Sequence, residues 1–179
     1  MKKEIKRVKR ERVYQGTIVD VYKDYMEFSN GNHEVWDYIH HKGAAAVIPV
    51  MDDGRLLMVR QYRFTLELPA GGLDQADEPG RDCSARELEE ETGYRSDDLE
   101  WLITLRTTVA LCNEKIEVYV ARNLIRTHQH LDENEFVNDI YQGVSVREII
   151  DNSYNTAYYS VGDYYRNASS DKLRMNSLY

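Results

Sequence analysis

The chain has 179 residues and a formal net charge of −8. That length suits one domain with a sizeable core, and that charge argues against general nucleic-acid binding. Two cysteines, Cys83 and Cys112, are too few for a disulfide framework and read as reduced thiols of a cytoplasmic protein. No apolar run approaches a membrane span, and the opening MKKEIKRVKRER lacks the apolar centre of a signal peptide.

In chain order, residues 1–12 read as a basic, solvated and partly mobile segment. Residues 13–40 alternate in short β-like runs broken at Asn30-Gly31, a strong hairpin signal. They predict a small antiparallel sheet ahead of the main domain. Trp36 lies in its last strand, where it serves either the core or a base-stacking platform. His40 and His41 are adjacent and face opposite sides of a strand, so both read as structural. His128 and His130 share a face without an evident third ligand, so no zinc site is expected.

Residues 43–50, GAAAVIPV, predict a buried strand. The Asp53-Gly54 turn leads into RLLMVRQYR as its hairpin partner. Residues 69–72, PAGG, form a tight loop where a backbone carbonyl could approach a metal. A helix is predicted from Pro79, with proline at the first helical position and Gly93 as a left-handed stop. Asp77 and Glu78 lie at the positive end of its dipole. Residues 99–108 and 116–121 read as strands around the loop ALCNEK. An acid-rich loop, HLDENEF, spans residues 130–136. A last strand at 143–146 precedes a helix from Ser145, with Glu148 completing a capping box. The tyrosine-rich tail from Tyr154 reads as helical.

The helix from Pro79 carries the chemistry. At ~100° per residue, Glu87, Glu90 and Glu91 fall within one arc of roughly 100°, away from Leu88 and Ala85. Like charges at this spacing repel by a few tenths of a kcal/mol per pair, and a cation between them removes that cost. An oxygen-only site of this kind suits Mg²⁺ or Mn²⁺. On the helix alone, a solvated acidic face explains the pattern as well.

The wider spacing decides between them. Gly72, five residues, Glu78, seven residues, then Arg86-Glu87-Leu88-Glu89-Glu90-Glu91-Thr92-Gly93-Tyr94 match every fixed position of the Nudix box. The chain therefore resembles a Nudix hydrolase. The segments GAAAVIPV, VRQYR, LELPAGGLD, NEKIEVYVAR and HLDENEF resemble the ADP-ribose pyrophosphatase branch. The resemblance implies an α/β (α+β) Nudix fold: a mixed β-sheet sandwiched between helices, with an N-terminal antiparallel sheet. Residues 1–42 would form that extension, serving dimerisation and base binding, and residues 43–179 the hydrolase domain.

The resemblance also assigns roles. Glu87 and Glu91 would bind Mg²⁺ (or Mn²⁺) directly, with Glu90 helping to position metal and water and the Gly71 carbonyl as a further ligand. Arg86 would pair with Glu78 and brace the loop. Arg63 and Arg60 would contact the diphosphate, Trp36 would stack on the base, and Glu133 or Glu135 would be the catalytic base. The implied reaction is hydrolysis of the diphosphate of ADP-ribose to AMP and ribose 5-phosphate by a cytoplasmic homodimer with no nucleic-acid or membrane partner. Alternatives are another sugar nucleotide (GDP-mannose or UDP-glucose), broad specificity, or a non-catalytic ligand sensor. Two departures from the branch pattern are the short link from Arg63 to Leu68 and a short C-terminal tail.

Overall fold

The computed structural model describes residues 4–61, 66–75, 77–131, 137–145 and 147. Its first three strands, β1 (Ile5–Gln15), β2 (Val19–Phe28) and β3 (His33–His41), form an antiparallel sheet with β2 in the middle. Then come β4 (Ala44–Pro49), β5 (Leu56–Gln61), β6 (Leu66–Glu67), β7 (Ala70–Gly72) and helix α1 (Gly80–Thr92). The two-residue strands β8 (Tyr94–Arg95) and β11 (Ile125–Arg126) pair with each other, flanking β9 (Asp98–Arg106) and β10 (Lys115–Arg122). The last strand among the described residues is β12 (Val137–Val144).

Two further sheets build the body, in the orders β7-β4-β10-β9 and β12-β5-β6. The first is mixed, because β10 runs parallel to β4 while β9 and β7 pair antiparallel. The architecture is α+β and mostly sheet. Its apolar strand AAAVIP follows from packing on both faces, where alternation is not required. Val47 meets Leu88 of α1 and Ala121 of β10, with Tyr94, Leu99 and Leu124 closing that cluster. Its neighbour Ile48 points the other way, against Leu56, Met58 and Val144. Leu88 is fully buried, which contributes about 1.5–3 kcal/mol relative to exposure.

The helix ends where the sequence says it should. Gly93 adopts φ 68°, and its N–H returns to the Glu89 carbonyl; residues with a Cβ resist that left-handed geometry. Pro79 is the N-cap with extended backbone rather than the first helical residue, so the helix begins at Gly80, one residue later than predicted.

Several expectations need correction. The basic segment is not a loose tail, because residues from Ile5 onward form β1. Charge so dense hides any apolar alternation; the strand pairs antiparallel with β2 through its backbone, and cross-strand ion pairs supplement that ladder. Arg10 makes two 2.6 Å hydrogen bonds to Asp24, Arg7 lies 3.6 Å from the same carboxylate, and Arg12 lies 3.7 Å from Asp20. Nor is β5 the hairpin partner of β4. The two share only a Val50–Leu56 bridge, since both edges of β4 are taken by β10 and β7. PAGG is partly strand, and β12 begins well before residue 143. The helix beyond Ser145 and the tyrosine-rich tail lie outside the described residues, apart from a helical Arg147.

The N-terminal sheet joins the body at one seam. Ile39 pairs with Leu111 and Cys112, and the Asn113 side chain bonds both the N–H and the carbonyl of His41.

Candidate active site

The site is built by laying α1 across β4 and β7. Anchoring Leu88 in the core turns Glu87 and Glu91 towards β7, where both are buried, with Glu91 fully so. Glu91 Oε2 accepts a hydrogen bond from the Ala70 N–H at 3.2 Å. Glu87 lies so close over Gly71 that a Cβ there would overlap its carboxylate. Glycine at 71 is thus a packing requirement for the approach of this acid to the backbone. Glu90 is the more open of the three, with 32% of its side chain exposed.

Arg86 threads through this cluster. Its Nη1 donates to Glu87 Oε1 at 2.7 Å and to Glu90 Oε2 at 3.0 Å. Its Nε reaches Glu78 Oε1 at 3.4 Å and lies 3.6 Å from Asp74, and its Nη2 donates to the Gly72 carbonyl at 3.2 Å. Burial works against the guanidinium charge, but the Glu87 charge and the Glu78 and Glu90 hydrogen bonds outweigh it, and the pKa stands above its ordinary value. Glu78 also accepts the Asp74 N–H at 2.7 Å, which ties the loop before α1 into a closed turn. Cys83 sits beneath, its thiol directed at the Gly71 and Gly72 carbonyls. Burial pushes that thiol up to about 12, so it is protonated at neutral pH and not a thiolate nucleophile.

The other residues singled out in the sequence are dispersed. Arg60 is half-buried on β5, in register with Leu66 and Asp139. Trp36 is 43% exposed rather than core, its indole N–H bonded to Glu34 and its ring edge-on to Phe28 within the N-terminal sheet. Arg63, Glu133 and Glu135 lie outside the described residues. Asp74 is a neighbour of the Arg86 guanidinium that the sequence pattern does not single out; its place two residues after the box glycine is the available signal.

A NUDIX domain family model matches residues 40–154, well over half of the chain. The chain belongs to the Nudix family. A methanol dehydrogenase activator of Bacillus methanolicus is 39% identical over 142 residues, covering 75% of this chain and 76% of that protein. An ADP-ribose pyrophosphatase of Bacillus subtilis (strain 168) is 34% identical over 162 residues, covering 83% and 87%. A solved structure of an ADP compounds hydrolase superposes with a TM-score of 0.72 over 89% of this chain and 88% of that one, at 22% identity. That last likeness shows the fold. Together the sequence similarities place this Nudix hydrolase with the ADP-ribose pyrophosphatase branch.

Nudix hydrolases generally use a divalent metal, and the donor chemistry here fits one. Three carboxylates and the backbone of a glycine supply only hard oxygen atoms. Among the described residues, no three acidic, histidine or cysteine side chains stand ready as a metal cluster. Instead the Arg86 Nη1 bridges Glu87 and Glu90.

Proposed function

We propose that this Nudix hydrolase cleaves the diphosphate of ADP-ribose with water, giving AMP and ribose 5-phosphate. The observation that carries the reading is the 34% identity, across 83% of the chain, to a protein named ADP-ribose pyrophosphatase. The box geometry supports it: two buried glutamates and one half-exposed glutamate share one side of a helix against a glycine strand.

Glu87, Glu91 and the Gly71 carbonyl would hold Mg²⁺ or Mn²⁺, with Glu90 alongside. A divalent ion there supplies positive charge against the phosphoryl oxygens and makes water more acidic. The protein's own residues do the rest. Arg63 and Arg60 would grip the diphosphate with planar, charge-assisted hydrogen bonds. Glu90 would orient the attacking water, and Glu133 or Glu135 would take its proton. Arg86, braced on Glu78, fixes the loop that carries Gly71 and Gly72.

The proposed unit is a cytoplasmic homodimer in which residues 1–42 pack across the partner and Trp36 stacks on the base. The family match begins at residue 40, which supports treating the sheet as an extension. Exposed apolar side chains support a covered surface. Ile5, Val8, Val13, Tyr14 and Val35 line the N-terminal sheet, and Trp101, Leu102, Ile103 and Leu105 line the edge strand β9. Apolar exposure on this scale marks interaction sites.

Glu133→Gln and Glu135→Gln, assayed side by side on ADP-ribose, test the base. One of them should lower kcat by ~10²–10⁴-fold. Near-normal turnover in both variants would remove this loop from the mechanism.

A further inference from the structure

We infer that Arg86 is the resident cation of the metal site, and that metal enters by displacing its Nη1 from Glu87 and Glu90. The inference rests on the reading that these glutamates hold the metal, and it adds what occupies them before the metal arrives.

The guanidinium is divided in its attachments. Nη1 alone touches Glu87 and Glu90, at 2.7 and 3.0 Å. Nε and Nη2 are held elsewhere, by Glu78 at 3.4 Å, Asp74 at 3.6 Å and the Gly72 carbonyl at 3.2 Å. A metal held by Glu87, with Glu90 alongside, would draw on the two carboxylates that Nη1 engages. It does not need Glu78, Asp74 or Gly72. Because the guanidinium is planar, Arg86 would tilt as a unit to release the two glutamates, with Glu78, Asp74 and the Gly72 carbonyl still beside it in the loop.

Electrostatics requires some cation in either state. Glu87 is only 6% exposed, and a buried carboxylate without a counter-charge is strongly unfavourable. Arg86 meets that need without metal, so folding of α1 against β7 does not depend on the ion. The cost appears in affinity, because each metal ion must break two charge-assisted hydrogen bonds first. Arg86 is a positioning residue in this account. Its exchange with the metal sets how tightly the site binds.

The test is Mn²⁺ binding to metal-stripped wild-type protein and Arg86→Gln, by calorimetry and electron paramagnetic resonance. Thermal melts with and without Mn²⁺ follow the fold. Arg86→Gln should melt lower without metal, gain more from Mn²⁺ than wild type does, and bind Mn²⁺ roughly tenfold more tightly. If it binds Mn²⁺ more weakly while folded, Arg86 holds the ligands in place rather than competing for them, and the inference fails.

Wild-type protein gives a second readout that does not depend on the variant folding. The ¹⁵N guanidinium resonances of Arg86, assigned by their loss in Arg86→Lys, should shift on adding Mg²⁺. Unmoved resonances at saturating Mg²⁺ would overturn the inference while leaving the metal site intact. Absence of Mn²⁺ and Mg²⁺ binding in wild type would overturn both.

Discussion

Gly71→Ala probes the tightest packing in the site. The backbone at 71 tolerates a side chain, but the space does not, because the new methyl would overlap the Glu87 carboxylate. That carboxylate is the end of a flexible side chain, so it yields rather than the strand. It is nonetheless buried and held by Arg86 at 2.7 Å. Overpacking costs about 1–3 kcal/mol, and a lost hydrogen bond to a charged group about 1.5–3 kcal/mol. Because the side chain relaxes, we expect a net loss of about 2–4 kcal/mol in urea unfolding followed by far-UV circular dichroism. Hydrolysis should fall by about 10–100-fold, since Glu87 is moved off the metal position. Gly72→Ala is the matched control. Its Cβ would meet nothing closer than the Gly43 carbonyl at 4.0 Å, so stability should change by no more than about 0.5 kcal/mol. Equal losses in both variants would show that the loop backbone, not the Glu87 contact, sets the requirement. Unchanged stability and rate in Gly71→Ala would refute the placement of Glu87.

Glu91→Gln keeps the shape of a fully buried side chain and an acceptor for Ala70; it should melt within a few degrees of wild type while turnover falls by orders of magnitude, and near-normal turnover would take Glu91 out of the mechanism. Hydrogen bonding to the Arg10 guanidinium holds the Asp24 carboxyl below its ordinary 3.8. A lowered folded-state pKa stabilises above the unfolded value and is lost as pH falls through the folded one. The melting temperature of Asp24→Asn should thus approach that of wild type below about pH 4, and a constant gap down to the folded-state value would contradict the pairing. Native protein at pH 8 should react with an aromatic disulfide reagent at Cys112 and not at Cys83, with both reacting after unfolding; fast labelling of Cys83 would contradict its burial and raised pKa.

How far the sequence could be read depended on what each element leans upon. The box helix was legible to within a residue because its signals are local: acids on one arc, proline before, glycine after. The buried strand β4 was legible from its apolar run, but its partners were not. Pairing β4 with β10 and β7 is decided by contacts distant in sequence, whereas the turn at Asp53-Gly54 suggested the nearest neighbour. The strand β1 was hidden because its partner is set by backbone pairing with β2 and by Arg10, Arg7 and Arg12 meeting Asp24 and Asp20 across the sheet, neither of which shows as apolar alternation. In the site, the approach of Glu87 and Glu91 to β7 follows from the helix arc and the buried Leu88. The bridge from Arg86 to Glu87 and Glu90 does not, because the spacing equally allows Arg86 to reach Glu78 alone.

Hydrolysis of ADP-ribose is tested by one comparison of substrates. With Mg²⁺ present, kcat/KM is measured for ADP-ribose, GDP-mannose, UDP-glucose and NADH, and the nucleotide product is identified. The account predicts that ADP-ribose leads and that AMP is released with ribose 5-phosphate. A lead for another sugar nucleotide would contradict the substrate assignment. No turnover of any of them with Mg²⁺ or Mn²⁺ would contradict the reading of the site as catalytic.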